Sequence, residues 1–544
     1  MRSFIFGALS AAIFSLPWIA VSYVGLSWVG LPFTPFGLFD WLVRLMPGQI
    51  VTWALETMVG GLQALSLGST SATGKTFEAS LALVLAFLAL AVLGGIQALA
   101  GRRTQASWIW SGGIAGVLLW AAAVYLADFA GWGELDAAAG IAWLGAVSLG
   151  WGFATSWSGT RLLLLSEMPE TQPRRRFIRD LGLISLLITG LAVGLGRWLW
   201  RRQKGLEPVA EPFLERIQQS IEPTPSGILP AEGIREEVTP IQDFYRVDIN
   251  VLPPSQGQVS AESAGGLAEV LRAQGDTEMD IRTEGYLLVV DGLVDRPLIL
   301  TLDQLKELPQ VSQYATLECI SNRVGGDLIG TTKFTGVPLR EVLAEAGLSP
   351  EAVDVKFTCA DGYTESLPIQ SALDTRTLLC YAMGEQMLSS AHGAPLRLFT
   401  PDRFGQKNPK WIVRIEAVNE DYQGYWPQRG WSEQAWVQTT AVIDTATSRS
   451  AGTVECGGIA FSGARGIQAV EVQVDDGEWL PAELKPPLSP LSWVLWQLTL
   501  LATQGQHELT VRTVDGTGEL QTAESSPTQP DGATGYHSRT VNVL

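Results

Sequence analysis

Histidine is almost missing from this chain: three in 544 residues, His392, His507 and His537. A helical bundle that carries a b-type haem usually grips it between two imidazoles, so nothing before residue 392 can hold one that way. Cysteine is nearly as scarce. Cys319, Cys359, Cys380 and Cys456 include no C-x-x-C pair, which excludes a disulfide framework and a cysteine-rich structural zinc site. Basic charge is short as well: 37 Lys and Arg face 55 Asp and Glu, a net charge of −18, and a surface of that sign does not suit nucleic acid. A phosphate loop is also lacking. The stretch GSTSATGKT, Gly68 to Thr76, has five residues between its glycines where that loop needs four, and no strand precedes it.

What is plentiful is apolar residue, 47% of the chain, crowded before about residue 200. Phe4 to Leu31 is nearly uncharged and too long for an ordinary signal peptide. Phe77 to Ala100, Trp108 to Ala130, Ala137 to Trp157 and Leu181 to Trp200 each approach the ~20 residues that a bilayer crossing requires. About five transmembrane helices are therefore expected over residues 1–200. Phe36 to Leu67 is interrupted by Asp40, Arg44 and Glu56 and broken by Pro47 and Gly48, so it reads as an interfacial or re-entrant hairpin rather than a sixth span. Arg102 and Arg103, then Arg161 with Arg174, Arg175, Arg176 and Arg179, mark cytoplasmic loops against acidic Glu134 and Asp136. The last span then delivers the rest of the chain to the periplasmic or extracellular side of a prokaryotic cell membrane. Arg201, Arg202 and Lys204 count the other way. Arg174 to Arg179, RRRFIR, resembles the twin-arginine export signal, which would suit a domain exported with its cofactor in place.

Residues 201–241 turn rich in Pro and Glu (EPVAEP, IEPTPSG, REEVTP), a composition that builds a stalk and not a core. From 242 to 436 the pattern is α+β. Strands are expected at Leu287 to Val294, Ala315 to Ile320, Ala352 to Cys359, Leu396 to Pro401 and Trp411 to Val418. Helices are expected after the cap residue Thr301 and from Pro338. Over 437–544 the helical signals vanish, and short runs such as IQAVEVQV and HELTVRTV predict an all-β, immunoglobulin-like sandwich.

Cys319 sits where the strand Ala315 to Ile320 gives way to the polar loop Ser321 to Gly326. A thiol there is held by a sheet yet open to a ligand, as a thiolate metal ligand needs to be. Three further groups stand out: the sextet HGAPLR, His392 to Arg397; the run PDRFGQKNPKW, Pro401 to Trp411; and GYWPQRGW, Gly424 to Trp431. Arg397, Lys407 and Lys410 on neighbouring turns of an acidic protein call for an anion, and a phosphate-bearing cofactor is a natural one.

Together these residues resemble the sulfite oxidase family of molybdenum enzymes, from about Phe244 to the C-terminus, the sandwich being similar to that family's dimerisation domain. The resemblance implies that Cys319 supplies a thiolate to molybdenum, the other ligands coming from the pterin dithiolene and oxo groups. It implies a cofactor-binding role for Tyr245, Arg246, Asn322, Asp361, His392, Arg397, Asn408 and Lys410, and it leaves Cys359, Cys380 and Cys456 as core thiols. His507, in a sandwich loop with no partner, and His537 are given no role.

The chain also departs from the family. Asn322-Arg323-Val324 stands where two arginines follow the asparagine, Trp431 replaces the active-site tyrosine, and Asp531 to Tyr536 lacks the arginine of the pocket segment near the C-terminus. Weak sulfite oxidation follows, with a larger, less anionic oxo donor or acceptor such as a sulfoxide as the small-molecule partner. Electrons must pass to or from a separate carrier, a cytochrome or a quinone-linked membrane protein, because no histidine pair lies ahead of the cofactor domain. Membrane lipid is a partner of the anchor, and the terminal sandwich hints at a homodimer. The alternative is a non-catalytic, membrane-tethered binding or assembly module that retains the fold; a thiolate beside a phosphate-binding cluster argues for the enzyme.

Overall fold

The computed structural model describes residues 2–65, 69–100, 107–130, 137–168, 172–204, 231–253, 286–450 and 452–543. Arg102, Arg103, Glu134, Asp136 and the stalk over 205–230 lie outside the described residues. The chain divides into two compact units. One holds Met1–Met46, Lys75–Val209 and Ile249–Gln258, the other Pro47–Gly74, Ala210–Asp248 and Val259–Leu544.

The first unit is helical: α1 (Arg2–Val29), α2 (Thr34–Leu45), α4 (Thr70–Ala100) from Lys75 on, α5 (Ser107–Ala130), α6 (Ala137–Ser166) and α7 (Gln172–Lys204), with α3 (Gly48–Leu65) and the start of α4 belonging to the other unit. Five of these helices are long and apolar enough to cross a membrane, over Arg2–Trp28, Thr70–Leu99, Ile109–Asp128, Ala138–Ser166 and Gln172–Arg201. Small residues let the helices approach closely: a methyl group on Gly112 would stand 2.9 Å from the Gly152 carbonyl oxygen. The last helix begins nine residues before the expected Leu181, so the run Arg174 to Arg179 is itself helical.

The stretch Phe36 to Leu67 is broken at Met46 and Pro47, as its composition predicts, and neither half is among the span candidates. Its charges have partners instead. Asp40 accepts the Val251 N–H at 3.1 Å and Arg44 donates to the Asn250 side chain at 3.0 Å, tying α2 to the chain at 249–251. In the second unit, Leu55 and Val59 of α3 pack into the core that contains Cys319.

The second unit is built of sheets. One runs β2-β1-β10-β5-β6, from Leu298–Thr301, Leu287–Gly292, Ile412–Val418, Asp354–Cys359 and Thr364–Pro368. Its neighbour runs β3-β4-β7-β8, from Val311–Glu318, Ile329–Pro338, Leu378–Met383 and Gln386–Met387, with β9 (Arg397–Phe399) paired to β7. Strand β7 reads LLCYAM, apolar throughout and buried at every residue, as a strand covered on both faces must be. Thr301 caps the short helix Leu302–Glu307 with a full capping box.

Two four-stranded sheets follow. One is β11-β12-β16-β15 (Thr440–Ser450, Thr453–Phe461, Val494–Leu501, Glu483–Leu484), the other β14-β13-β17-β18 (Trp479–Pro481, Ile467–Val474, Gly505–Asp515, His537–Val543). Strand β17 alternates buried and half-exposed residues from Leu509 to Asp515, the mark of one covered face.

Two expectations are corrected. Residues 231–241, assigned to the stalk by composition, are packed: Ala231 is buried, Arg235 pairs with Asp444 at 2.6 Å, and Trp493 Nε1 donates to the Glu237 carbonyl at 2.9 Å. A Pro/Glu-rich segment lacks an apolar core of its own but still offers partners to one. His507 is not a lone loop residue: it lies on β17 and meets the Asp475 carboxylate at 2.8 Å.

Candidate functional site

Strand β3 ends at Glu318, and Cys319 is the first residue beyond it. The exit is fixed by backbone bonds: Cys319 N–H donates to the Leu328 carbonyl and Asn322 N–H to the Cys319 carbonyl, each at 2.9 Å. Asn322 braces the loop from inside, its amide donating to Glu318 Oε1 at 2.9 Å and accepting the Leu328 N–H at 3.0 Å. Ser321 Oγ lies 3.1 Å from the thiol. Burial pushes the thiol up from its ordinary value and pushes Glu318 up to about 7. A thiol in such surroundings keeps its proton unless a metal displaces it.

Tyr245 and Cys319 share one apolar cluster with Phe334, Phe399 and Val59. Phe244 stacks on Tyr245 with centroids 5.5 Å apart and meets the His392 ring edge-on at 6.0 Å. His392 Nε2 is 3.2 Å from the Ile241 carbonyl; burial and the neighbouring Arg397 push the imidazole down to about 4, so it is neutral. Gly405 closes this wall. A methyl group there would stand 2.8 Å from Tyr245 Oη and 3.8 Å from the Cys319 Cα.

Arg397 is 4% exposed. Its Nη1 donates to the His392 carbonyl at 3.2 Å, and no carboxylate pairs with it among the described residues. Its Nε, Tyr245 Oη and Trp431 Nε1 are buried with no hydrogen-bond partner. A buried polar group left so costs about 1–3 kcal/mol, more if charged, and a buried guanidinium without a counter-ion calls for an anion. A phosphate and a polar ring edge would satisfy both demands, so these residues fit a phosphorylated pterin.

The other basic residues differ. Lys407 is fully buried and paired with Glu365 at 2.7 Å, with a second bond to the Ser366 carbonyl at 3.0 Å; it anchors the fold and is not available to a cofactor anion. Lys410 and Arg246 both pair with Asp248, and Lys410 also donates to the Val247 carbonyl at 3.1 Å. Both amide atoms of Asn408 are engaged within its loop, with Thr400 N–H at 2.7 Å and the Phe404 carbonyl at 3.0 Å. Asp361 follows β5 and accepts the Tyr363 N–H at 3.0 Å. Trp431 is buried in the cluster that includes Ile320 and Phe404. Cys359, Cys380 and Cys456 are fully buried free thiols.

Some contributors were not singled out from sequence. Tyr363 donates to Glu365 at 3.2 Å and to the Gln406 carbonyl at 2.8 Å, completing a support beneath the Pro401–Trp411 run. His537 packs its ring on Gly325, in the loop after Cys319, where a methyl group would clash with it. Arg429 lies over the Tyr425 ring, 3.6 Å from its centroid. Arg429 and Tyr425 stood inside GYWPQRGW, Tyr363 ends the run CADGY and His537 was given no role; the contacts of Tyr363 with Gln406 and of His537 with Gly325 are distant in sequence.

Residues 274–426 match the family model described as the oxidoreductase molybdopterin binding domain. The chain is 29% identical over 299 residues to the mitochondrial sulfite oxidase of Drosophila melanogaster, covering 44% of this chain and 52% of that one. It is 35% identical over 159 residues to YedZ1 of Azospira oryzae, named as a subunit of a protein-methionine-sulfoxide reductase, covering 29% and 59%. With the oxidoreductase YuiH of Bacillus subtilis it shares 30% identity over 144 residues, covering 26% and 71%. The chain thus spans about half the length of the sulfite oxidases it matches. With a family-specific domain matched across the buried Cys319 and Arg397 and with YuiH matched over most of its length, the chain belongs to the sulfite oxidase-like family of oxidoreductases, whose cofactor is Mo-molybdopterin.

Proposed function

We propose that this protein is a membrane-anchored oxidoreductase that transfers an oxygen atom to or from a small, weakly charged substrate such as a sulfoxide, on the outer face of a prokaryotic cell membrane. The observation that carries the reading is the buried Arg397, lacking a carboxylate, in a wall that also holds Tyr245 and His392 near the thiol of Cys319. In this reading Cys319 holds the metal. Arg397 takes the pterin phosphate, and neutral His392 and Tyr245 bind the polar edge. Arg246, Asn322, Asp361, Asn408 and Lys410 complete the cradle, several through the loops that their side chains brace. The catalytic domain spans 242–436 and the terminal sandwich 437–544. When bound, Mo-molybdopterin supplies a two-electron centre able to exchange an oxygen atom. Reduction of a sulfoxide to a sulfide then takes two electrons from a separate reduced carrier and two protons, with the oxygen leaving as water.

Val324 and Trp431 stand where the resemblance calls for an arginine and a tyrosine. Each lost charge-assisted contact weakens anion binding by roughly 1.5 to 3 kcal/mol, or about 10- to 150-fold. We expect dimethyl sulfoxide to be reduced, with reduced viologen as donor, at a kcat/KM well above that for sulfite oxidation. Rapid sulfite turnover with no sulfoxide turnover overturns this.

Five crossings support a shared side for α3 and the cofactor domain, and the basic loops argue that this side is the outer one. Five crossings leave residues 30–69 and everything after α7 on one side, and α3 from the first stretch does belong to the same compact unit as the cofactor domain. A sixth crossing through 36–67 would part them. Export through the twin-arginine-like run is tested by replacing Arg174 and Arg175 with lysine: the outer domain should become inaccessible to protease added outside the membrane. Unchanged access removes the signal from the account.

A further inference from the structure

We infer that α3, a helix that the sequence places between two membrane spans, forms one wall of the substrate entrance, and that Gly60 is a positioning residue that seats Arg323 there. The inference rests on the reading of the Cys319 loop and the Trp426–Trp431 turn as the substrate side of the site.

Three separate stretches of the second unit meet this one helix. At its start, a methyl group on Gly48 would stand 2.8 Å from Arg429 Cγ, and Thr52 Oγ1 lies 3.5 Å from the Arg429 carbonyl. In its middle, the Glu56 carboxylate accepts from Thr528 Oγ1 at 3.2 Å. Arg323 Nη2 reaches the Glu56 carbonyl at 3.5 Å, and one turn on the guanidinium lies against Gly60. A methyl group there would stand 2.5 Å from Arg323 Cζ and 2.8 Å from Nη1. Just past the helix, Thr70 N–H donates to Asp327 Oδ2 at 2.8 Å. Leu55 packs against both the cluster of Cys319 and the cluster of Trp431.

The twelve positions from Gly48 to Gly60 span about 18 Å of helix, and an arginine from the substrate side of the site rests at either end: Arg429 from the turn before Trp431 and Arg323 from the loop after Cys319. Arg323 is solvent-exposed and follows Cys319 by four residues. Without a surface to lie on, a long arginine side chain samples many rotamers. The bare backbone at Gly60 gives it a flat seat, and the Glu56 carbonyl gives it an acceptor. It thereby presents a fixed cation to the oxygen of an entering substrate, replacing in part the arginine lost at Val324.

Gly61 supplies the control. Its added methyl group would meet nothing within 4 Å, so valine at 60 and valine at 61 change helix propensity alike and differ in the contact with Arg323. Because the obstructing group is the tip of a flexible side chain, Gly60→Val should displace Arg323 and leave the fold intact.

The test uses full-length, molybdenum-loaded protein with dimethyl sulfoxide and reduced viologen, and in parallel follows amide hydrogen exchange across residues 320–328. Gly60→Val and Arg323→Ala should each raise KM about 5- to 10-fold, on the scale of one weakened charged hydrogen bond. Molybdenum content should be unchanged, the double variant should be no worse than either single one, and Gly61→Val should match the wild type. Faster exchange at 320–328 should appear in Gly60→Val and not in Gly61→Val. The inference is overturned if valine at 60 and 61 act alike, or if Gly60→Val and Arg323→Ala multiply in the double variant. Should the wild type reduce no sulfoxide, the proposed function falls by itself. The exchange result then decides the seating of Arg323: a selective effect at position 60 upholds it and equal exchange in both valine variants refutes it.

Discussion

Serine in place of Cys319 should strip the protein of its activity while leaving it folded. The two side chains are nearly isosteric and the residue is 8% exposed, so the stability cost is that of one altered buried polar group, about 1–3 kcal/mol. The chemistry changes far more. Burial already holds the thiol protonated, against the help of Ser321, so deprotonation depends on a soft metal that favours sulfur. A hydroxyl is a harder and far weaker acid. Since even residues that merely support a metal ligand lose 10- to 100-fold on mutation, we expect more than ~100-fold loss of sulfoxide reduction in Cys319→Ser. Cys359→Ser and Cys380→Ser give the contrast: those thiols sit on strands β5 and β7, fully buried, and should lower stability while retaining activity per molybdenum. Activity in Cys319→Ser equal to that in Cys359→Ser would remove the thiol from the mechanism.

The second large effect concerns stability. Lys407→Met should destabilise the second unit by roughly 3–5 kcal/mol, because Glu365 would be left charged, buried and deprived of its cation. The pair is 2.7 Å apart with side-chain exposures of 2% and 0%. Burial alone pushes the Glu365 carboxyl up and Lys407 opposes that push. Deleting both charges, Lys407→Met with Glu365→Met, should recover much of the loss, since apolar pairs often replace buried ion pairs without penalty. Denaturant unfolding of the full chain, read by tryptophan fluorescence, measures both. A single variant as stable as the wild type contradicts the assignment of Lys407 to the fold.

That assignment shows where sequence reading reached its limit. Lys407 stands three residues before Lys410 in a run with cofactor-binding character, and nothing local distinguishes them. The difference lies 42 positions upstream at Glu365 and far upstream at Asp248. Helix α3 shows the same limit. Leu55 and Val59 carry equal hydrophobicity whether they face lipid or a protein core, so composition alone could not place the helix in the second unit. Residues 231–241 misled for the opposite reason: proline and glutamate do not form a core, yet Arg235 and Glu237 are tied down by Asp444 and Lys485.

Local signals fared better. The strand expected over Ala315 to Ile320, with a polar loop after it, put Cys319 at a strand exit, and β3 ends one residue before it. Thr301 is the cap residue that its place before Leu302 suggested, and Gln304 completes a capping box with it. Uninterrupted apolar stretches gave the five span candidates, although α4 and α7 begin earlier, at Thr70 and Gln172, where polar residues continue the helix past the apolar stretch. Residues whose role depends on immediate neighbours were legible. Those defined by a partner brought in by the fold were not.

The central claim is that Cys319 and the buried Arg397 hold a molybdenum pterin. Elemental analysis and pterin fluorescence, performed on full-length protein purified from the membranes of a host that makes the cofactor, test it directly. The account predicts stoichiometric molybdenum and pterin in the wild type, with both reduced in Arg397→Ala. Protein that carries neither, purified from such a host, would contradict it.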